Sequence, residues 1–201
     1  MTLVSSGKYS VTPVPGSASS KSGAEVNLSA FYIDRFEITV EQFKKFDPKY
    51  DETRFIEACP KCPAVGVPWT RARDYCFWAG KVLPIEAQWE AAAQGAVPRI
   101  WPWGNRFGLN KANLLGGEDG FPGLAPVGSF PAGVSPVGSY DMTGNAWEWV
   151  NARQKDPKGQ QLVKGGGWRT QQGFSIIAAR NWVNPNMRNP TFGFRCVKRT
   201  K

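Results

Sequence analysis

Residues 140–149, Tyr140-Asp141-Met142-Thr143-Gly144-Asn145-Ala146-Trp147-Glu148-Trp149, set two carboxylates seven residues apart with small residues between them. If the chain bends at Gly144, Asp141, Glu148 and the intervening carbonyls turn onto one point. Hard cations such as calcium take that kind of oxygen cage. The competing reading is a tight turn carrying two core tryptophans and solvated acids. The segment by itself leaves both open.

Histidine is absent. Imidazole base catalysis, Ser-His-Asp and Cys-His nucleophiles and His-ligated zinc are therefore excluded. Four cysteines remain: Cys59, Cys62, Cys76 and Cys196. Cys59-Pro-Lys-Cys62 is a single CxxC, and a structural zinc needs four ligands. A thioredoxin-type redox motif follows a strand and opens a helix, whereas Pro63 and Pro68 follow here. A loop disulfide, or two unpaired thiols, is the better reading of this pair.

The elements that must carry these residues are short. Leu3-Val4 and Val11–Val14 alternate as strand, Pro15–Ala24 reads as a loose loop, and one strand is expected from Val26 through Ile33 to Phe36-Glu37-Ile38. Thr39 and Gln42 form a capping-box signature for a helix over 40–46. Thr70 is the expected cap of a second helix, with Ala72, Tyr75, Cys76 and Ala79 inward and Gly80 as its stop. A third helix is expected to open at Pro84, with Ile85, Gln88, Trp89 and Ala92, and to end at Gly95. Beyond Ile100 the spacing predicts no helix. It predicts a long Gly/Pro-rich excursion over 106–140 and short strands at 147–150, 161–164, 175–179 and 193–197. An irregular stretch of ~35 residues in a compact domain needs a reason, such as a bound ion or a functional surface.

Composition bounds the answer. The 201 residues are 41% hydrophobic, enough for one domain core. Nine Trp, 22 Gly and 16 Pro point to large rings linking many turns. The net charge of +9 is scattered, and only Lys198, Arg199 and Lys201 cluster. No nucleic-acid-binding pattern is present, so no nucleic-acid partner is expected. No apolar run reaches ~18 residues, so no membrane insertion is expected. No secretory signal peptide is visible.

Several motifs occur in one order: Phe31-Tyr32-Ile33-Asp34-Arg35-Phe36-Glu37-Ile38-Thr39, Tyr75 to Pro84, Ala87-Gln88-Trp89-Glu90-Ala91-Ala92, Trp103-Gly104-Asn105, Gly144 to Trp149, Gly165-Gly166-Gly167-Trp168 and Gly193-Phe194-Arg195-Cys196. This order resembles the formylglycine-generating-enzyme (sulfatase-modifying factor) domain family over roughly residues 1–199, nearly the whole chain. The resemblance implies a single α+β domain of C-type-lectin-like fold, with two or three short helices and short twisted strands. It implies one or two structural calcium ions. One site would use the side chains of Asn113 and Asp119 with the carbonyls of Leu114 and Phe121. The other would use Asp141 and Glu148 with the carbonyls of Gly144 and Ala146. It also implies a disulfide between Cys76 and Cys196, which places the protein outside the reducing cytosol, extracytoplasmic or at a cell surface.

The catalytic residues do not carry over. The enzymes of the family load copper(I) on a cysteine pair five residues apart, and the matching stretch, Gly165 to Ile177, contains no cysteine. Soft copper(I) needs thiolates, so the oxidase chemistry is expected to be absent. The segment from Ala179 to Pro190, with Asn181, Asn184, Asn186 and Asn189, also resembles the variable segment of diversity-generating-retroelement proteins on the same scaffold. The reading is therefore a non-catalytic ligand-binding module. Its surface would be Trp168, Arg169, Gln171, Phe174, Asn181, Trp182, Asn184, Asn186 and Asn189 within about 165–195, facing a protein or other surface ligand. The alternative is a metal-dependent oxidase of the family with a non-standard site. Trp89, Trp147 and Trp149 are expected in the core. Arg180 and Arg195 are read as ligand contacts or as buried partners of backbone carbonyls.

Overall fold

Thr39 and Gln42 close on each other. The Gln42 amide donates to Thr39 Oγ1 at 3.3 Å and the Thr39 amide donates to Gln42 Oε1 at 3.1 Å. This is the expected capping box, and it starts helix α1 (Val40–Phe46) with Val40 and Phe43 buried. The computed structural model describes residues 1–12, 24–116, 119–152 and 158–200. Most of the expected loop after Pro15, Glu118 of the long excursion and Lys201 of the basic tail lie outside the described residues.

Helix α2 (Trp69–Trp78) begins before the expected cap. Pro68, extended and without an amide hydrogen, takes the cap position, and Thr70 falls inside the first turn. Helix α3 (Glu86–Gln94) opens after Ile85 rather than at Pro84. The Ile85 amide donates to Gln88 Oε1, while the Pro84 carbonyl accepts from the Asn151 amide at 2.8 Å. Pro84 is thus spent on joining the helix to the sheet.

Strands β1 (Thr2–Val4), β4 (Phe31–Ile33) and β9 (Val197–Arg199) form an antiparallel sheet in the order β1-β4-β9. Strands β2 (Gly7–Val11) and β3 (Ala24–Leu28) form a separate pair. Strands β5 (Trp147–Val150), β6 (Gln161–Lys164), β7 (Arg180–Val183) and β8 (Phe192–Phe194) form a sheet in the order β7-β6-β5-β8. The β5–β8 pair is parallel.

Three expected strands are corrected. The run from Val26 breaks at Ser29-Ala30 into two strands of different sheets, and Phe36-Glu37-Ile38 is not strand. Residues 175–179 form no strand: a 3₁₀ turn at Gln172–Phe174 leads into them, and Ser175 Oγ donates to the Gly165 carbonyl at 2.9 Å. The run 193–197 splits into β8 and β9, because Arg195 turns inward between them and the Cys196 amide donates to Asp34 Oδ2.

Two clusters fill the interior. Phe31, Ile33, Trp89, Met142, Leu162 and Val197 build one, and Phe43, Tyr75, Trp149, Phe192 and Phe194 build the other. Trp89 and Trp149 are fully buried, and Trp147 is half-buried against the second cluster. The Trp149 indole donates to the Val67 carbonyl at 2.8 Å, so its polar edge is satisfied. Cys76 and Cys196 are both fully buried and joined by a disulfide that ties α2 to the chain between β8 and β9. A second disulfide joins Cys59 and Cys62. Among the described residues no helix is long and apolar enough to cross a membrane.

Candidate functional site

The chain does bend within 141–145: Asp141, Gly144 and Asn145 all have positive φ, at 55°, 83° and 56°. Gly144 is required twice over. Its φ disfavours a side chain, and a Cβ there would meet the Asn113 carbonyl oxygen at 2.6 Å. This close approach joins the two halves of the predicted cation ligands. The Asn145 amide donates to the Asn113 carbonyl at 2.9 Å, and Asn113 Nδ2 donates to Asn145 Oδ1 at 3.0 Å and to the Gly123 carbonyl at 2.8 Å.

Those two acceptors fix the orientation of the Asn113 amide. Its Oδ1 is then buried with no hydrogen-bond partner, in a residue only 1% exposed. An orphaned buried oxygen is unfavourable unless something electropositive meets it. Asp119 lies alongside: its carboxylate accepts from the Leu114 amide at 2.8 Å and from the Phe121 amide at 3.0 Å. The Asp119 carboxylate thus gathers the backbone of Leu114 and Phe121, and Asn113 immediately precedes Leu114 in the chain. The orphaned Asn113 amide oxygen and the neighbouring Asp119 carboxylate are the kind of hard oxygen that calcium takes.

The second set is placed differently. Glu148 is 1% exposed and faces Arg195, which is fully buried. Arg195 Nε and Nη2 each donate to a Glu148 oxygen at 2.7 Å, and the Trp89 indole adds a third bond at 2.8 Å. Arg195 also donates to the Tyr140 carbonyl at 2.8 Å and the Asp34 carbonyl at 3.2 Å, so it is a structural partner rather than a ligand contact. Asp141 instead accepts from the Gly128 amide at 2.7 Å. Among the described residues no three Asp, Glu or Cys side chains are arranged to hold a metal. With its charge matched by the guanidinium, Glu148 does not fit a cation in this arrangement.

Glu37 and Asn145 are the residues that sequence reading missed. Glu37 Oε1 accepts from the Ala146 amide at 3.0 Å and Oε2 from Asn145 Nδ2 at 2.8 Å, while Asn145 Oδ1 also takes the Ala125 amide. Asn145 therefore joins the 113–125 loop to Glu37. Burial pushes the Glu37 carboxyl well above the usual range, and Asp141 and Glu148 push the same way. Burial likewise raises Asp141 to about 6, against the lowering pull of its Gly128 hydrogen bond. For Arg195, burial opposes the charge, but Glu148, Glu37 and Asp141 hold its pKa above the ordinary value.

Seven of the nine predicted recognition residues fall into two groups on either side of Trp147, whose amide donates to the Thr191 carbonyl and whose indole donates to Thr170 Oγ1. The first group holds Trp168, Arg169, Gln171 and Phe174. Arg169 stacks over the Trp168 ring at 4.3 Å, and Phe174 is 69% exposed. Beside it a cavity of about 180 Å³ is lined by Phe107, Leu109, Leu115 and Gln172, and it shares Leu114 and Asp119 with the cation set. The second group holds Asn184, Asn186 and Asn189. Asn184 and Asn186 are exposed, but Asn184 Oδ1 accepts from the Asn186 amide, and Asn189 Oδ1 from Thr191, so these oxygens shape turns. Asn181 and Trp182 stand apart on the edge strand β7, where Trp182 packs against the first core cluster. Arg180 binds Glu86 and the Thr12 carbonyl.

The family model described as a Sulfatase-modifying factor enzyme 1-like domain matches residues 1–200. The Inactive C-alpha-formylglycine-generating enzyme 2 of Bos taurus is 38% identical over 150 residues, which is 67% of this chain and 50% of that protein. The Formylglycine-generating enzyme of Bos taurus is 36% identical over 167 residues, 69% of this chain and 44% of that protein. The chain spans about half the length of these relatives. The solved structure of Treponema denticola variable protein 1 superposes with a TM-score of 0.81 at 17% identity, covering 100% of this chain and 95% of that one. At that identity the likeness establishes the fold, the expected α+β scaffold of C-type-lectin type.

Proposed function

Because the chain belongs to the Sulfatase-modifying factor enzyme 1-like domain family, yet has all four of its cysteines in disulfides, we propose that it is a non-catalytic member. In this reading a stiffened scaffold presents residues 165–195 to a protein or other surface ligand outside the reducing cytosol. One observation carries the reading. Across Gly165 to Ile177, where the enzymes of the family are expected to hold a thiol pair, the hydroxyls are committed to structure. Thr170 Oγ1 meets the Trp147 indole at 3.1 Å and the Gly167 amide at 3.0 Å, and Ser175 Oγ donates to Gly165. Neither hydroxyl replaces a thiolate toward copper(I).

Asn113 and Asp119, with the carbonyls of Leu114 and Phe121, would hold one structural calcium ion. Bound there, calcium would satisfy the Asn113 amide oxygen that is otherwise left without a partner. The residues themselves tie this loop to Asn145, and through Asn145 to the start of β5. The exposed Arg169, Gln171, Phe174, Asn184 and Asn186 then stand on a rigid base, as adaptable recognition requires. The name of the Treponema relative, a variable protein, agrees with this use of the scaffold. An excess of AAC or AAT codons at Asn181, Asn184, Asn186 and Asn189 would extend the reading to retroelement diversification.

The test is a turnover assay. The chain is incubated with copper and a cysteine-containing sulfatase peptide, and formylglycine is sought by mass spectrometry, with an active relative as control. No conversion is expected. Clear conversion would replace the binding reading with a family oxidase of non-standard site.

A further inference from the structure

The two disulfides differ in kind. Cys76 and Cys196 are both fully buried and lie 120 residues apart. Cys59 is half-buried on an exposed loop beside exposed Pro60 and Lys61, whereas Cys62 is 2% exposed. Cys59 is thus the more accessible residue of the pair and Cys62 the sheltered one.

The loop is held by backbone hydrogen bonds as well as by its sulfur bond. The Pro60 carbonyl accepts from the Glu41 amide at 3.0 Å, the Cys62 carbonyl from the Val40 amide at 3.0 Å and the Lys61 carbonyl from the Val127 amide at 3.0 Å. The Cys62 amide closes onto the Cys59 carbonyl at 3.0 Å, and Thr39 pairs with Pro63. These backbone bonds do not depend on the sulfurs, and would keep Cys59 and Cys62 near each other with the sulfur bond open. The Leu124 carbonyl lies 3.7 Å from Cys62 Sγ, positioned to accept from a thiol there.

We propose that Cys59–Cys62 is a thiol–disulfide exchange site whose co-reactants are small or protein thiols. An incoming thiolate attacks Cys59 Sγ, the Cys59–Cys62 bond breaks, and Cys62 leaves as a thiolate that takes a proton from water. A second thiol then attacks the mixed disulfide and releases Cys59. Two thiols are oxidised to one external disulfide, and the protein disulfide is reduced to two thiols. In reverse, the preorganised pair recloses. Lys61, exposed and two residues from Cys59, adds a positive charge to the loop, which favours thiolates.

Glutathione is the probe. The full chain is treated with reduced glutathione under native conditions, acid-trapped, alkylated and mapped by mass spectrometry, with circular dichroism recorded in parallel. Cys59 and Cys62 should become alkylated at least about tenfold faster than Cys76 and Cys196, with the spectrum unchanged. Equal rates, or loss of the disulfide only with loss of structure, would overturn the proposal. In a second arm, oxidised glutathione should form a mixed disulfide with Cys62→Ser, through Cys59, about tenfold faster than with Cys59→Ser. The opposite ranking would also overturn it.

Discussion

Burial raises the Asp141 carboxyl to about 6 from the ordinary 3.8, so the folded protein binds that proton more tightly than the unfolded chain. The stability it contributes is complete below the unfolded value and is lost as pH rises through 6. Asp141→Asn keeps an oxygen to accept from Gly128 and cannot ionise. In chelator, its stability relative to the parent should therefore grow from pH 4.5 to 7.5 by roughly 2 kcal/mol. Urea unfolding at each pH measures this, and a flat difference would remove the argument. Arg195 illustrates the opposite case. Arg195→Met leaves Glu148 buried beside Trp89 without its counter-charge and should lower stability by about 3–5 kcal/mol in the same assay. Both residues stand in motifs visible in the sequence, but their pairing was not legible there. Glu148 meets Arg195 across 47 positions and Asn145 meets Glu37 across 108, and no local pattern encodes such a partner.

The helices were the legible elements, because a cap and a 3.6-residue period are local signals. The box of Thr39 and Gln42 marks the start of its helix to the residue, and Gly80 and Gly95 do follow their helices. Strands were readable as extended chain but not as members of a particular sheet. The one local sign that β3 and β4 diverge is a phase shift: Leu28 is buried and then Phe31 and Ile33, three and five positions on, where an unbroken strand would bury even spacings. The apolar run Ile176-Ile177-Ala178-Ala179 looked like a strand; instead the Ile177 amide is taken by the Ile100 carbonyl at 3.0 Å. The predicted cation ligands meet through one element, the bend at Gly144. Gly144→Ala adds a strained φ and a clash with the Asn113 carbonyl, and should destabilise by more than about 1 kcal/mol while weakening calcium binding. Calorimetric titration with calcium, beside Asn113→Ala, tests whether the orphaned oxygen is a ligand. The parent should gain melting temperature with calcium, and Asn113→Ala should not.

Over the whole molecule, the disulfides should contribute unequally. Loop-closure entropy grows with the enclosed length, so removing Cys76–Cys196 by paired alanines should cost about 4–5 kcal/mol, and removing Cys59–Cys62 clearly less. Thermal and urea unfolding of the two double variants would rank them. Substituting Arg169, Gln171 or Asn186, which are exposed, should shift stability by no more than about 0.5 kcal/mol, the tolerance a recognition surface requires. The buried bond has one further effect. Residues 113–189, with the proposed ion ligands and the recognition groups, all lie between Cys76 and Cys196. A protease nick anywhere in that span leaves the fragments joined, and tension applied at the two chain ends passes through the sulfur bridge instead of through the segment it encloses.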